Sequence, residues 1–157
     1  MRHCPLFSVS RVILFLLVIF IFITGNHAAA GTDIDWKFLS ESNTNRWYYD
    51  TKSVTPSNKN LVKVWAKGVT KDQKGIDEKI KLLKKFGGET MGYENYSYTL
   101  NLFELDCENK KHRILSVKDY DKRGNGLQTV TIENYSWDYI APGTIIDNLF
   151  KEICPKK

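Results

Sequence analysis

The reactive side chains of this sequence are few. Beyond residue 30 there is one histidine, His112, two cysteines, Cys107 and Cys154, and a pair of carboxylates, Glu104 and Asp106, set two apart in a strand-like run. Hydrolytic triads and most metal sites draw on histidine. A lone His112 with no neighbours at ligand spacing reads as a solvated or hydrogen-bonded bystander. Glu104 and Asp106 share a strand face by alternation, the minimum for a general acid and base, but such a pair is far more often a wetted outer face. The chain has no Gly-rich phosphate loop, no Cys-x-x-Cys-His and no serine nucleophile elbow. These residues point away from an enzyme, from a cofactor and from a metal. Only a hydrolase resting on Glu104 and Asp106 is left to test.

A different chemistry is available for binding. Lys79, Lys81, Lys84 and Lys85 fall within one helix-like segment, and Tyr93, Tyr96 and Tyr98 follow soon after. Basic charge mixed with amphipathic rings suits an acidic or sulfated glycoprotein. The plainer account is that the lysines are the wet face of an amphipathic helix and the alternating tyrosines belong to a core.

These residues have to be placed by elements that the remaining sequence supplies. Arg2 and Arg11 precede the unbroken apolar run Val12–Ile23, and Gly25-Asn26-His27 then leads to Ala28-Ala29-Ala30. That is the layout of a secretory signal, with cleavage expected after Ala30; an uncleaved N-terminal anchor is the alternative. The run is shorter than the ~20 apolar residues a spanning helix needs, so no stable membrane span is expected after cleavage. Removing residues 1–30 from the 157 leaves 127, one domain over 31–157, and lowers the formal net charge from +5 to +3 because only Arg2 and Arg11 are lost. So mild a charge gives no reason to expect nucleic acid as a partner. Cys4 leaves with the signal, and the remaining even pair in an exported chain is expected to form a Cys107–Cys154 disulfide; two free thiols or a metal pair are the alternatives.

Short strands dominate the 31–157 region. Trp36–Leu39, Arg46–Asp50 and the alternating Leu61–Lys67 read as strands, with Thr55–Asn60 as a turn or loop. From Asp77 to Phe86 the period changes, and Ile76, Ile80, Leu83 and Phe86 make one helical stripe with acids first, lysines last and Gly87-Gly88 as the stop. Between Tyr96 and Cys107 the apolar phase slips by one near Leu102, the mark of a bulge or sharp bend. Arg113–Tyr120 and Leu127–Trp137 read as the next two strands, joined by Asp121–Gly126, whose Asn125-Gly126 is a strong hairpin signal. The last element opens with Thr144 as N-cap, presents Ile145, Ile146, Leu149, Phe150 and Ile153, and ends at Cys154 before Pro155. The expected fold is α+β: an antiparallel meander with a C-terminal helix packed on it and tied by the disulfide, plus a short inserted helix.

In order along the chain, Trp36, Tyr48-Tyr49-Asp50 with Ser53-Val54, Val64-Trp65, Asp106-Cys107, Tyr120-Asp121 with Gly124, Ile140–Thr144 and Cys154 resemble the bacterial surface-adhesin protein E-like domain. The resemblance implies the same antiparallel sheet and disulfide-held C-terminal helix, and attachment to host matrix glycoproteins such as vitronectin or laminin. The adhesin that names the family is lipid-anchored, whereas here Cys4 precedes the apolar run and no cysteine stands at the expected cleavage site, so no lipid anchor is expected. The sequence therefore reads as an exported, non-catalytic, adhesin-like binding protein, periplasmic, secreted or on the cell surface. The alternative is a periplasmic envelope structural or assembly factor with a bacterial protein partner. An exposed edge of an open meander also offers a place for a second copy, a homodimer.

Overall fold

In the computed structural model the described residues are 34–132 and 136–154. The expected signal at 1–30 and Pro155, the expected stop of the last helix, lie outside them. An antiparallel sheet of eight strands carries two helices. The strands are β1 (Trp36–Glu41), β2 (Asn45–Asp50), β3 (Thr55–Asn58), β4 (Leu61–Thr70), β5 (Tyr96–Asp106), β6 (Lys111–Asp121), β7 (Gly126–Thr131) and β8 (Asp138–Tyr139). The helices are α1 (Gln73–Lys85), between β4 and β5, and α2 (Ile145–Ile153) at the C-terminal end. The spatial order β1-β2-β4-β5-β6-β7 is the expected meander, with β3 paired to β4 and β8 to β6 off that path.

The ten- and eleven-residue strands β4, β5 and β6 outreach their neighbours, and each long flank is shared. Strand β2 covers Ala66–Thr70 of β4 while β3 covers Leu61–Lys63. Strand β7 covers Ser116–Tyr120 of β6 while β8 covers Lys111–His112. Thr55–Asn58 was expected as a loop and is instead a strand. Its composition is poor for a strand, but the free flank of β4 supplies the backbone partners that decide the matter. Conversely, the strand expected over Leu127–Trp137 ends at Thr131, and β8 is only two residues long. The β6–β7 turn is held by Asp121, whose carboxylate accepts from the backbone N–H of Arg123 and Asn125, both at 2.8 Å, and the left-handed residue is Gly124 (φ 83°). The connection thus falls within the expected Asp121–Gly126 stretch, with Gly124 rather than the Asn125-Gly126 pair as its left-handed residue.

The register shift expected near Leu102 falls between Leu102 and Phe103 in the β5–β6 pairing, where Leu115 of β6 is the extra residue. Pairing of β5 with β4 runs unbroken through the same point. Strand β5 therefore keeps one face throughout: Thr99, Asn101, Phe103 and Leu105 point one way, and Tyr98, Leu100, Leu102 and Glu104 the other. The apparent slip of apolar phase arises because the first face changes from polar to apolar along its length.

Both helices lie on that first face. Under α2 it is dry: Tyr49, Val64, Ala66, Phe103, Leu105, Ile140, Leu149 and Cys154 form the main core, with Ile146, Phe150 and Ile153 packed against it. Thr144 caps α2, its hydroxyl accepting the Asp147 N–H at 3.1 Å. The Cys107–Cys154 bond, with Cα atoms 5.5 Å apart, ties the end of the helix to the end of β5. Helix α1 begins four residues earlier than the acids at Asp77 suggested, because Asp72 caps it by accepting from Gly75 N–H at 3.1 Å. At Gly75 the helix start presses on the β2–β4 region so closely that a Cβ would lie 2.9 Å from the Thr44 carbonyl oxygen. Ile76 is buried with Tyr93 and Tyr96 in a second core, joined by Ile80 and Leu83, whereas Phe86, the expected last member of the stripe, is 75% exposed.

Candidate binding site

The basic and aromatic residues singled out along the sequence are distributed over three places. Tyr93 and Tyr96 are buried under the start of α1, stacked on each other with ring centroids 5.9 Å apart. Lys79 reaches inward to Asp119, with Nζ to Oδ2 at 2.8 Å. Tyr98 lies on the opposite face of the sheet, stacked on Tyr120 at 4.8 Å. Lys81, Lys84 and Lys85 are on the exposed side of α1.

Asp119 is the hub of the inward group. It is 2% exposed and accepts hydrogen bonds from Tyr93 Oη (2.7 Å), Lys79 Nζ and Thr99 Oγ1, while Tyr96 Oη contacts Thr99 Oγ1 at 2.7 Å. Burial first, and then the hydrogen bond to the Asp119 carboxylate and its charge, push the Tyr93 hydroxyl far above the ordinary tyrosine range. Burial pushes Tyr96 up to about 12. Both hydroxyls therefore stay protonated and act as donors or neutral partners.

The carboxylates considered for catalysis are committed elsewhere. Glu104 accepts from Arg113 Nε (2.7 Å) and Ser57 Oγ (2.6 Å). Burial works to raise its pKa but is outweighed by those bonds, which hold it below the usual range. Asp106 closes the β5–β6 turn by accepting from Glu108 and Asn109 N–H, and these bonds likewise outweigh burial and keep it low. With both carboxyls ionised, neither has a proton to donate near neutrality. His112 packs against Phe103 and no acid or nucleophile pairs with it among the described residues. No group of three or more His, Cys, Asp or Glu that could hold a metal occurs among the described residues.

Two surfaces remain that side chains converge on. One is the sheet face turned away from both helices. Register places Trp36, Phe38, Tyr48, Trp65, Tyr98 and Tyr120 there, interleaved with Lys67 and Lys118. Lys67 Nζ stands 4.2 Å from the Tyr98 ring centroid and 5.6 Å from that of Trp36, and Lys118 Nζ 5.5 Å from that of Trp65. Among the described residues no carboxylate is in ion-pair range of either ammonium. Burial against these rings lowers the Lys67 pKa. The other surface is a trough beneath α1, where the helix stands off the sheet over Trp47, Gly68, Asn101 and Val117 and leaves a cavity of about 440 Å³. A neighbouring hollow of about 290 Å³ shares Lys79, Leu82 and Val117 with it.

Neither surface was read from the sequence. The odd positions of β4, Trp65 and Lys67, were visible as one face of an alternating strand, but their partners Trp36, Tyr98 and Lys118 come from three other strands and need the sheet order. The trough has no sequence signal beyond two polar residues, Thr99 and Asn101, at buried positions.

A family model described as surface-adhesin protein E matches residues 36–155. No curated protein sequence matches the chain. Matching solved structures include that of protein E from non-typeable Haemophilus influenzae, 16% identical, covering 78% of this chain and 78% of that one, with a TM-score of 0.47.

Proposed function

The chain belongs to the surface-adhesin protein E family, and from that premise we propose that it is an exported, non-catalytic binding protein that seats an extracellular matrix glycoprotein, such as vitronectin or laminin, on the helix-free face of its sheet. The observation that carries this reading is the set of two ammonium groups, Lys67 and Lys118, held over aromatic rings with no carboxylate in ion-pair range among the described residues. A half-buried cation with no counter-ion gains from an acidic partner that excludes water around it, and the rings beside it supply contact area at little entropic cost. Such rings are the anchors that dominate binding energy in protein interfaces. No helix among the described residues is long and apolar enough to cross a membrane.

Binding of the exported protein to immobilised vitronectin and laminin tests the reading. Lys67→Glu and Trp65→Ala should each weaken binding about tenfold or more, the loss of one central anchor, and added salt should weaken the wild type because exposed charges separated by more than about 8 Å are screened at physiological ionic strength. Lys84→Glu with Lys85→Glu examines the outer face of α1 as the alternative contact. Failure of the wild type to bind either glycoprotein at low salt would overturn the reading. Protease treatment of intact cells, compared with cells whose outer membrane has been opened, tests where the domain sits. Cleavage on intact cells supports an adhesin; protection until opening supports a periplasmic envelope factor.

A further inference from the structure

We propose that the outer side of α1, together with strand β7, is a membrane-contact surface that seats the domain on a bilayer of anionic phospholipid. Leu82 and Phe86, one turn apart on α1, and Val130 of β7 are 52%, 75% and 39% exposed and line one shared hollow. Apart from Lys79, Asp119 and Gln128, which are already tied together through Asp119 and Tyr93, every side chain around that hollow is apolar. Strand β7, the last in the sheet order, carries no charged residue from Gly126 to Thr131. Edge strands are usually protected by charge, lysine above all. Here the charge stands on the helix instead.

Lys74, Lys81 and Lys85 recur at i, i+7 and i+11, so they form one strip about 17 Å long at 1.5 Å per residue, on the solvent side of Leu82 and Phe86. All three are exposed, and among the described residues no carboxylate lies in ion-pair range of any of them. Glu78, one turn before Leu82, accepts the Thr44 hydroxyl at 3.1 Å, and Glu89 is the next acid beyond the helix end. Lys85 Nζ stands 5.6 Å from the Phe86 ring centroid, an apolar body with a cationic rim. Exposed Leu and Phe bounded by lysines match a lipid surface, whose acyl boundary takes apolar side chains of any shape while its phosphates take the ammonium groups. A folded protein fits the patch less well. Stable protein interfaces contain about 20–30 residues a side in a shaped fit, whereas a few projecting apolar side chains beside a strip of lysines make a weak, reversible adsorption.

Flotation of the purified exported protein with vesicles of phosphatidylcholine, alone or mixed with phosphatidylglycerol, is the test. Binding is expected to the mixed vesicles and not to phosphatidylcholine alone. Phe86→Ser should weaken it about tenfold or more, the worth of burying one large apolar side chain, and Lys81→Gln with Lys85→Gln about fivefold for each charge removed. Since these side chains are exposed and the lysines carry no ion pair, the variants should keep the wild-type thermal midpoint. Trp65→Ala, on the opposite face of the sheet, should bind vesicles as the wild type does, which separates this contact from glycoprotein binding. No binding to mixed vesicles, equal binding to both kinds, or an unchanged affinity in Phe86→Ser would overturn the proposal. So would loss of vesicle binding in Trp65→Ala with its midpoint kept, which would place the lipid on the helix-free face. A dimer that Phe86→Ser dissolves, with vesicles left unbound, would overturn it too and assign the patch to a second copy of the chain.

Discussion

Helix α1 reaches the sheet through one buried charge contact, and removing half of that contact has a calculable cost. In Asp119→Asn the shape is kept and the charge is lost. Tyr93 Oη keeps an acceptor, because Gln128 Oε1 lies 3.1 Å away, and Thr99 Oγ1 can still donate to the asparagine oxygen. The main loss is the counter-charge of Lys79, whose side chain is 18% exposed. Breaking a buried ion pair by removing one partner costs about 3–5 kcal/mol, and since the ammonium can swing partly into water the lower end, ~3 kcal/mol, is expected. Lys79→Met is expected to cost more, ~4 kcal/mol, because the aspartate it strands is 2% exposed and cannot move to solvent. The double variant leaves neither charge, so its cost should fall short of the sum of the singles by ~2 kcal/mol. Urea unfolding of all four proteins, with the slope unchanged, measures the cycle. If Lys79→Met costs under ~1 kcal/mol, or if the effects add within ~0.5 kcal/mol, the pair does not anchor α1 and the account of the trough's upper wall fails with it.

Gly75→Ala should reverse the usual helix preference: alanine normally gains about 1 kcal/mol over glycine in a helix interior, but here its Cβ would clash with Thr70 Oγ1 and lie 2.9 Å from the Thr44 carbonyl oxygen, so a lowered thermal midpoint is expected. Cys154→Ser should lower the unfolding free energy by ~4 kcal/mol in the chain-entropy account of a loop spanning 47 residues, read from urea curves of oxidised wild type and variant; a loss under ~1 kcal/mol would mean the bond constrains little. Asp147, which accepts from Gly143 N–H and Lys151 Nζ, is held down to about 2, chiefly by the Lys151 hydrogen bond. A carboxyl whose pKa is lower in the fold than in the unfolded chain adds stability above the unfolded value, and the gain is lost as pH falls through the folded one. The thermal midpoint should therefore fall between about pH 4, near the unfolded value for aspartate, and pH 2, and Asp147→Asn should flatten part of that fall.

Those elements whose partners are close in sequence, or whose signals are local, were legible: α2 with its Thr144 cap, the long strands, the meander and the disulfide. Thr55–Asn58 was not, because a strand of Thr, Pro, Ser and Asn exists only where a longer neighbour leaves its flank unpaired. The start of α1 was misplaced for a related reason. Asp72 caps the helix through a side-chain bond that hydrophobic periodicity does not report, and the periodic residues begin only at Ile76. At the candidate site, Tyr93, Tyr96 and Tyr98 looked equivalent by spacing. A register shift between Tyr96 and Tyr98 sends one ring to each side of the sheet, and no local pattern carried that. That Asn101 lines the trough was unreadable because the pairing of the strands decides which face of β5 lies beneath α1.

The Cys107–Cys154 bond also sets how the domain answers a pull. When tension runs from the β1 end of the chain to residues beyond Cys154, it crosses directly at the bond, and β6, β7, β8 and α2 lie in a loop that carries no load. The bridged stretch, 47 residues in separation, would otherwise pay out about 160 Å of slack on extension. Between those two points the bridge limits what force can pull out directly to β1–β5 and α1. Tension reaches the segment between the two cysteines only when the bond is reduced.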